Sequence, residues 1–231
     1  MTVCGRFAPT PSGRIHLGNI LCAMLSWLSV RSKNGRYLLR IEDLDAMRCP
    51  RSLADLIEDD LKWFGIDWDD GGSAGGDAWY QSCRTAIYDR YFDVLKDKGL
   101  LYPCFCSRAE LHTAQAPHRS DGTYIYAGTC RNLTPEQIAE KSKRRPPAWR
   151  VRVPDREMSF TDGCQGVYTE NLAHDCGDFI IRRSDGVYGY QLAVVVDDGL
   201  MGVTEVVRGS DLLNSTPRQM YLYEQLGFAI P

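Results

Sequence analysis

The chain has 231 residues, 44% of them hydrophobic and 25% charged, and its formal net charge is −3. This length and apolar content exclude a disordered or fibrous protein and suit one sizeable core or two modest domains. The negative net charge argues against a protein that coats nucleic acid without preference, so we expect no DNA partner. Binding of one folded RNA through a local patch stays compatible, and the densest basic segment is KSKRRPPAWRVRV, residues 141–153.

Membrane and secretory segments are not expected. No apolar run reaches the roughly 20 residues that a membrane-spanning helix needs. The start, MTVCGRF, lacks the basic and apolar stretches of a secretory signal. Nine cysteines cannot all pair, so we expect a cytoplasmic protein whose thiols are reduced or bound to metal.

The first elements predict a βαβ unit with a buried parallel sheet, and therefore an α/β fold. VCGRFAPT predicts a strand that leads into a loop, and GRYLLRIEDLD predicts a strand that turns acidic after Ile41. Between them, HLGNILCAMLSWLSVRSKNG predicts a helix that Asn34 and Gly35 stop, because its apolar residues recur every three or four positions. Those apolar residues are Leu17, Ile20, Leu21, Met24, Leu25 and Leu28.

Two more helices follow, CPRSLADLIEDDLKWFGID with Gly65 near its end and SCRTAIYDRYFDVLKDKG closed by Gly99. From Leu100 to Gly186 the segments are shorter, with strands at AWRVRVP and DFIIRRSDG, which indicates an inserted or second small domain. The near-continuous apolar run YQLAVVVDD predicts a central parallel strand that delivers carboxylates to a site. STPRQMYLYEQLGFAIP predicts a last helix with a Ser-Thr cap and Gly227 at its end.

The segment RFAPTPSGRIHLGN predicts an anion site at a helix start. His16 and Gly18 lie where the first helix begins, and the free N–H groups there favour a phosphate. No Gly-Lys-Ser/Thr follows and no G-x-G-x-x-G is present, which excludes a P-loop and a dinucleotide fingerprint. A glycine near a helix start is common, so a plain turn is the alternative.

Three cysteines predict a zinc site. Cys104, Cys106 and Cys130 supply thiols with plausible spacing in a reducing compartment. Spacing alone offers His112, His118 or Tyr126 as the fourth ligand. Structural cysteines without metal are the alternative.

Five stretches, in the same order, resemble the glutamyl branch of class I aminoacyl-tRNA synthetases: RFAPTPSG with HLGN, LLRIEDLD, IEDDLKWFGIDWDD, YQLAVVVDD and VTEVVRGSDLLNSTPRQ. The details GTCR, YQLAVVVDD and RGSDLL are most similar to the glutamyl-queuosine tRNA(Asp) synthetase family. The resemblance implies a Rossmann-type parallel sheet with an inserted small α+β, zinc-containing domain. It places the two core halves at 1–99 and 187–231 and the acceptor-binding-like insert at 100–186.

The family implies a two-step reaction. Glutamate attacks ATP to give an enzyme-held glutamyl-adenylate, and the acyl group then passes to the queuosine base in the anticodon of tRNA(Asp). The resemblance assigns catalysis to His16, Gly18 and Asn19. It assigns ATP to Pro9, Thr10, Ser12, His16, Gly18 and Asn19. It assigns glutamate to Arg6, Phe7, Ala8, Pro9, Thr10, Glu42, Tyr190 and Arg208.

Physical chemistry gives the glutamate residues suitable tasks. Arg6 and Arg208 are forks for carboxylate, Glu42 is a counter-charge for the ammonium, and Tyr190 can hydrogen-bond the substrate. For zinc, the family completes Cys104, Cys106 and Cys130 with Tyr126, whereas elementary chemistry favours a histidine over a phenol of pKa about 10. The expected cofactors are one structural Zn²⁺, ATP as substrate and Mg²⁺ with it, and the expected state is a monomer.

One family feature is missing. The second class I signature, Lys-x-Ser-Lys or similar, is due after the last helix, and EKSKRR at 140–145 lies too early to supply it. We therefore expect the natural protein to be longer, and ATP activation to be badly impaired if it is not. Two other functions stay open: a truncated glutamyl-tRNA synthetase that charges tRNA(Glu), and a non-catalytic tRNA- or zinc-binding module.

Overall fold

The computed structural model describes residues 2–107, 110 and 125–231. The α-helices of this part are α1 (Leu17–Arg31), α2 (Arg51–Trp63), α3 (Thr85–Asp97), α4 (Pro135–Ser142), α5 (Tyr190–Met201) and α6 (Ser215–Leu226). Its strands are β1 (Cys4–Phe7), β2 (Arg36–Leu39), β3 (Asp70–Gly71), β4 (Leu101–Cys104), β5 (Ala148–Val151), β6 (Glu157–Asp162), β7 (Gly166–Asn171) and β8 (Ile180–Arg182). None of the described helices combines the length and apolar character needed to cross a membrane.

The chain forms two compact units. The first consists of Met1–Asp89, Ala193–Leu213 and Phe228–Pro231, and the second of Arg90–Leu192 and Asn214–Gly227. The division into 1–99, 100–186 and 187–231 stays a prediction.

A parallel sheet in the order β1-β2-β3 forms the centre of the first unit. Cys4 pairs with Arg36 and Phe7 with Leu39, so β1 and β2 are in parallel register over their whole length. Helix α1 connects these two strands, and α2 lies between β2 and β3 in the chain. The predicted βαβ unit and α/β class are confirmed.

Helix α1 is confirmed, but most of its large apolar residues do not form its buried face. Ile20, Ala23, Ser26 and Val30 are buried. The exposed members of the predicted spacing are Leu17, Leu21, Met24, Leu25 and Leu28. Small residues therefore let this helix approach the sheet, where Ser26 Oγ lies 2.5 Å from the hydroxyl of Tyr37.

Residues from both helices and the sheet build the core of the first unit. They are Phe7, Ala23, Val30, Tyr37, Leu39, Ile41, Ala54, Ile57, Leu61, Ile66 and Tyr80. The segment after β2 continues beside this core, because Ile41 pairs with Tyr80 in an isolated parallel bridge. The acidic residues Glu42 and Asp43 directly follow this bridge and are buried.

The prediction of a strand at YQLAVVVDD is wrong, because this segment begins helix α5. Residues 192–196 are all fully buried, and an apolar run with no polar face carries no periodicity that separates a buried strand from a buried helix. Its valines favour a strand, but the tertiary environment overrides that preference. The carboxylates at its end are nevertheless delivered to a buried cluster.

The predicted last helix is confirmed as α6. Gly227 ends it in the left-handed conformation with φ of 74°, as a glycine at this position allows. The predicted Ser-Thr cap is wrong: Ser215 is already helical, and Asn214 precedes it without a capping side-chain hydrogen bond.

The second unit contains antiparallel sheets. One has the order β4-β5-β8, and the other is the hairpin of β6 and β7. The strands predicted at AWRVRVP and DFIIRRSDG are confirmed as β5 and β8. Helix α4 begins with a capping box in which Thr134 and Gln137 satisfy each other's backbone N–H groups. The end of β4 carries the first cysteine of the predicted zinc site.

Candidate functional site

The segments that follow β1 and β2 remain side by side beyond the strands. Arg40 donates its backbone N–H to Phe7 O at 3.0 Å, and Glu42 donates its own to Pro9 O at 3.0 Å. Phe7 and Pro9 are buried, and Ala8 between them is half-buried. Since both strands point the same way, their carboxyl ends bring the predicted glutamate residues of the first loop beside Glu42.

Arg6 and Glu42 belong to one buried network of alternating charges. Arg6 Nε donates to Asp198 Oδ1 at 3.3 Å. Arg40 donates to the same Asp198 oxygen at 2.6 Å and to Glu42 Oε1 at 3.1 Å. All four side chains are at least nine-tenths buried. We call Arg6, Asp198, Arg40 and Glu42 the buried charge network of the site.

Asp197, the residue before Asp198 in α5, is held by a second set of side chains. It accepts hydrogen bonds from Gln81 Nε2 at 2.9 Å, Arg84 Nε at 2.7 Å and the Tyr88 hydroxyl at 2.8 Å. Asp197 is completely buried, so these donors replace the water that its carboxylate loses.

Burial and neighbouring charges shift the pKa values of the two acids in the buried charge network in opposite directions. Burial raises the pKa of Glu42, and the positive charges of Arg40 and Arg6 offset only part of that increase. Burial also acts to raise the pKa of Asp198, but its hydrogen bonds and ion pairs with both arginines bring the pKa below its usual value.

His16 is the N-terminal cap of α1. Its Nδ1 accepts from Asn19 N at 3.4 Å, and its carbonyl accepts from the same N–H at 3.0 Å. Because Nδ1 faces the backbone N–H of Asn19, Nε2 is the ring nitrogen that can donate to an anion. A Cβ added to Gly18 would lie 3.3 Å from the imidazole atoms Cε1 and Nδ1, so the glycine leaves room for this ring.

The remaining predicted residues of the site have these positions. Thr10, Ser12, His16 and Gly18 are exposed around the start of α1, and Asn19 is half-buried. Arg208 is half-buried in the first unit, between α5 and a short 3₁₀ turn at Ser210–Leu212. Tyr190 is the first residue of α5 and belongs to the second unit. Their substrate roles stay predictions.

The predicted metal ligands of the second unit converge. The sulfur atoms of Cys104, Cys106 and Cys130 lie within 4.8 Å of one another, and those of Cys106 and Cys130 are 3.6 Å apart. The Tyr126 hydroxyl lies 3.5 Å from Cys104 Sγ and 3.8 Å from Cys106 Sγ. Arg150 supports the cluster, because its guanidinium stacks on the Tyr126 ring at 3.7 Å and donates to Cys104 Sγ.

This donor set fits a tetrahedral zinc ion. Zn–S bonds of about 2.3 Å at tetrahedral angles place sulfur atoms roughly 3.8 Å apart, close to the spacing of the cysteines here. Within the described residues, the hydroxyl of Tyr126 donates no hydrogen bond outside the cluster, while it accepts one from Cys130 N at 2.9 Å. The alternative ligands His112 and His118 lie outside the described residues.

The sequence motifs did not single out Arg40 as part of the site, whereas the carboxylates of Asp197 and Asp198 were predicted to reach a site, although from a strand and not from a helix. Arg40 precedes Glu42 in LLRIEDLD, and both aspartates end YQLAVVVDD, so each lies within a segment that its sequence pattern had singled out. A charged residue at the end of an apolar run is the signal that marks the two aspartates.

Comparisons with known proteins agree with these features. The family model described as tRNA synthetases class I (E and Q), catalytic domain, matches residues 2–231. A protein of Nitratidesulfovibrio vulgaris named Glutamyl-Q tRNA(Asp) synthetase is 51% identical over 98% of this chain and 71% of its own length. A protein of that name from Symbiobacterium thermophilum is 50% identical over 99% of this chain and 72% of its own length.

Solved structures give the same fold. A glutamate tRNA ligase from Elizabethkingia meningosepticum, crystallised in complex with its amino acid, is 30% identical and superimposes with a TM-score of 0.86. The glutamate-tRNA synthetase of Elizabethkingia anophelis is 30% identical, with a TM-score of 0.87. Both matches cover 100% of this chain, which spans about half the length of either solved chain (48% and 49%).

The predicted resemblance and the predicted ligase class are therefore confirmed. The α/β fold with its parallel sheet is confirmed as well, and the family match covers nearly the whole chain. The chain belongs to the catalytic-domain family of the class I tRNA synthetases for glutamate and glutamine.

Proposed function

We propose that this protein activates L-glutamate with ATP and transfers it to the queuosine base in the anticodon of tRNA(Asp). The observation that carries the proposal is the 46–51% identity, over nearly the whole chain, to relatives named Glutamyl-Q tRNA(Asp) synthetase. The charges of the first unit suit glutamate, since its ammonium needs an acid and its carboxylates need cations.

In the first step the substrate carboxylate attacks the α-phosphorus of ATP, and pyrophosphate leaves. Arg6 and Arg208 bind carboxylate, Glu42 binds the ammonium, and Phe7, Ala8, Pro9 and Thr10 line the loop. Tyr190 adds a hydrogen bond to the substrate. Two arginines discriminate against glutamine, because a neutral amide cannot form the ion pairs that the substrate carboxylate forms with them.

ATP lies against Pro9, Thr10, Ser12 and the start of α1. His16, through Nε2, and the N–H groups near Gly18 and Asn19 face the α-phosphate and donate as negative charge develops there. Mg²⁺ accompanies the nucleotide. In the second step a hydroxyl of the queuosine cyclopentenediol attacks the activated carbonyl, and AMP leaves.

Zinc has a structural role in this proposal. Cys104, Cys106, Tyr126 and Cys130 hold one ion, which fixes the end of β4 against the loop that carries Cys130. The segment 100–186 forms the acceptor-binding-like insert between core halves 1–99 and 187–231. The protein acts as a cytoplasmic monomer.

The test uses the full natural chain, labelled glutamate and ATP. Glutamate-dependent exchange of pyrophosphate into ATP is expected, which excludes a non-catalytic tRNA- or zinc-binding module. The label is then expected on tRNA(Asp) that carries queuosine and on neither tRNA(Asp) that lacks it nor tRNA(Glu). Label on tRNA(Glu) alone contradicts the proposal.

A second candidate, charging of tRNA(Glu), is favoured by the likeness to the two solved glutamate tRNA ligases. The same experiment separates the two, because the acceptor RNA differs while the activation step is shared.

A further inference from the structure

Arg40 connects Arg6 and Glu42, the two side chains of the first unit that the proposed function assigns to a carboxylate and to the ammonium of glutamate. One terminal nitrogen of its guanidinium donates to Glu42 Oε1 at 3.1 Å. The other donates to Asp198 Oδ1 at 2.6 Å, and that oxygen also accepts from Arg6 Nε. The orientation of Arg6 and that of Glu42 therefore depend on the same guanidinium.

Arg40 cannot itself touch a substrate, because its side chain has no exposed surface. Its backbone is fixed as well, since its N–H donates to Phe7 O. Glu42 and Arg6 retain small exposed fractions, 8% and 5%. In the buried charge network, Arg40 is therefore interior, while Glu42 and Arg6 lie closer to solvent.

Stability alone is a weak reason to keep this arrangement. A buried ion network is often no more stable than apolar residues of the same volume, because each charge loses its hydration. Arg40 also leaves Nε without a hydrogen-bond partner among the described residues, at 3.8 Å from Asp197 Oδ2. An unpaired buried N–H costs free energy, so this placement of the guanidinium, which satisfies Asp198 and Glu42 but not its own Nε, is not the one that stability alone favours.

We propose that Arg40 is a positioning residue for glutamate activation: it directs Glu42 at the substrate ammonium and, through Asp198, holds Arg6 for a substrate carboxylate. This rests on the proposed function. Without Arg40, Glu42 and Asp198 both compete for Arg6, and the ammonium and carboxylate subsites lose their relative placement.

The test compares Arg40→Met and Arg40→Lys with wild type in glutamate-dependent pyrophosphate exchange, using the full natural chain. A misplaced binding group costs on the order of 100-fold, so we expect R40M to raise KM for glutamate by about that factor. KM for ATP should stay within about twofold. R40K keeps the charge but not the fork, and an intermediate value is expected. The matched control is Arg36→Met, at the start of the strand that Arg40 directly follows, whose side chain is exposed and pairs with Asp70.

A pH profile separates positioning from a general loss of structure. The charged groups that face Glu42 are Arg40, Arg6 and Asp198. In R40M, Glu42 loses its nearest cation and stays protonated to higher pH, so the KM of this variant for glutamate should fall as pH rises from about 6 to 9. The wild-type KM should change less over this range.

Each outcome decides. Equal increases of KM for glutamate and ATP, a fall in kcat alone, or an R40M enzyme that behaves like R36M overturns the positioning role. If R40M does not fold by circular dichroism, R40K decides: a KM for glutamate equal to wild type overturns the role. Absence of glutamate-dependent exchange in the wild type contradicts the proposed function instead.

Discussion

Replacing Asp197 with asparagine is expected to destabilise the first unit by about 3–5 kcal/mol, the usual cost of breaking a buried ion pair. Asp197 is completely buried and accepts from Arg84, Gln81 and Tyr88. Asparagine keeps the shape, but it loses the charge that Arg84 faces. It also turns one acceptor oxygen into an NH₂ group that cannot accept.

The orientation of the new amide does not rescue the site. If its NH₂ takes the place of Oδ2, the donors of Gln81 and Tyr88 lose their acceptor. If it takes the place of Oδ1, Arg84 faces a donor at 2.7 Å. Either way a buried donor is unsatisfied, at a cost of about 1–3 kcal/mol within the total.

The assay is denaturation by urea or guanidinium chloride, followed by tryptophan fluorescence and circular dichroism. Asp70→Asn is the matched control, because Asp70 is 40% exposed and its pair with half-exposed Arg36 is worth only about 0–1 kcal/mol. Tyr88→Phe removes a single donor and should lie between the two. A D197N protein within about 1 kcal/mol of D70N would refute the anchoring role of Asp197.

Three further predictions concern other parts of the molecule. Cys130→Ser should abolish zinc binding, whereas Cys164→Ser, at an exposed turn, should retain about one zinc per chain by metal analysis; equal contents contradict the site. Gly18→Ala should keep the fold but lower pyrophosphate exchange about 10-fold or more, because the new Cβ crowds the imidazole; unchanged exchange contradicts the role of the helix start. Burial raises the pKa of Tyr37 from 10 to about 12. The protonated Tyr37 therefore contributes its full stability to the fold below pH 10, and this contribution is lost as pH rises to about 12. The free energy of unfolding of Tyr37→Phe should therefore fall by about 3 kcal/mol less than that of wild type in denaturation series from pH 9 to 12. Equal falls in both proteins refute the assignment.

The sequence predicted β1, β2 and their parallel pairing, because the strand and helix patterns there are distinct, but it did not predict β3. VCGRFAPT and GRYLLRIEDLD are short apolar runs with a clear helical spacing between them, and their parallel pairing follows from that order. The end of α1 could also be predicted from the sequence. The same holds for the end of α6, because Gly227 favours a left-handed termination.

Helix α5 shows where local patterns are insufficient. Its buried segment is apolar on all sides, so neither periodicity nor β propensity could identify it. For α1 the spacing identified the helix, yet the large residues Leu17 and Leu21 lie outside while Ser26 lies inside. Which face is buried depends on the partner surface, which no single segment contains.

The candidate site was likewise only partly predictable from the sequence. Arg6, Glu42 and the three clustered cysteines could be selected from motifs, and the structure brings the cysteines together with Tyr126. The partners of Arg40, Asp197 and Asp198 could not be assigned, because the contacts Arg40–Asp198 and Gln81–Asp197 join residues more than 100 positions apart. Such contacts depend on the tertiary fold.

The most direct test of the central claim is to locate the glutamate on its RNA. Queuosine-containing tRNA(Asp) is incubated with the full natural chain, ATP and labelled glutamate, and is then cut into fragments that separate the anticodon arm from the 3′ end. The label is expected to stay with the anticodon fragment. Label on the 3′-terminal fragment would contradict it.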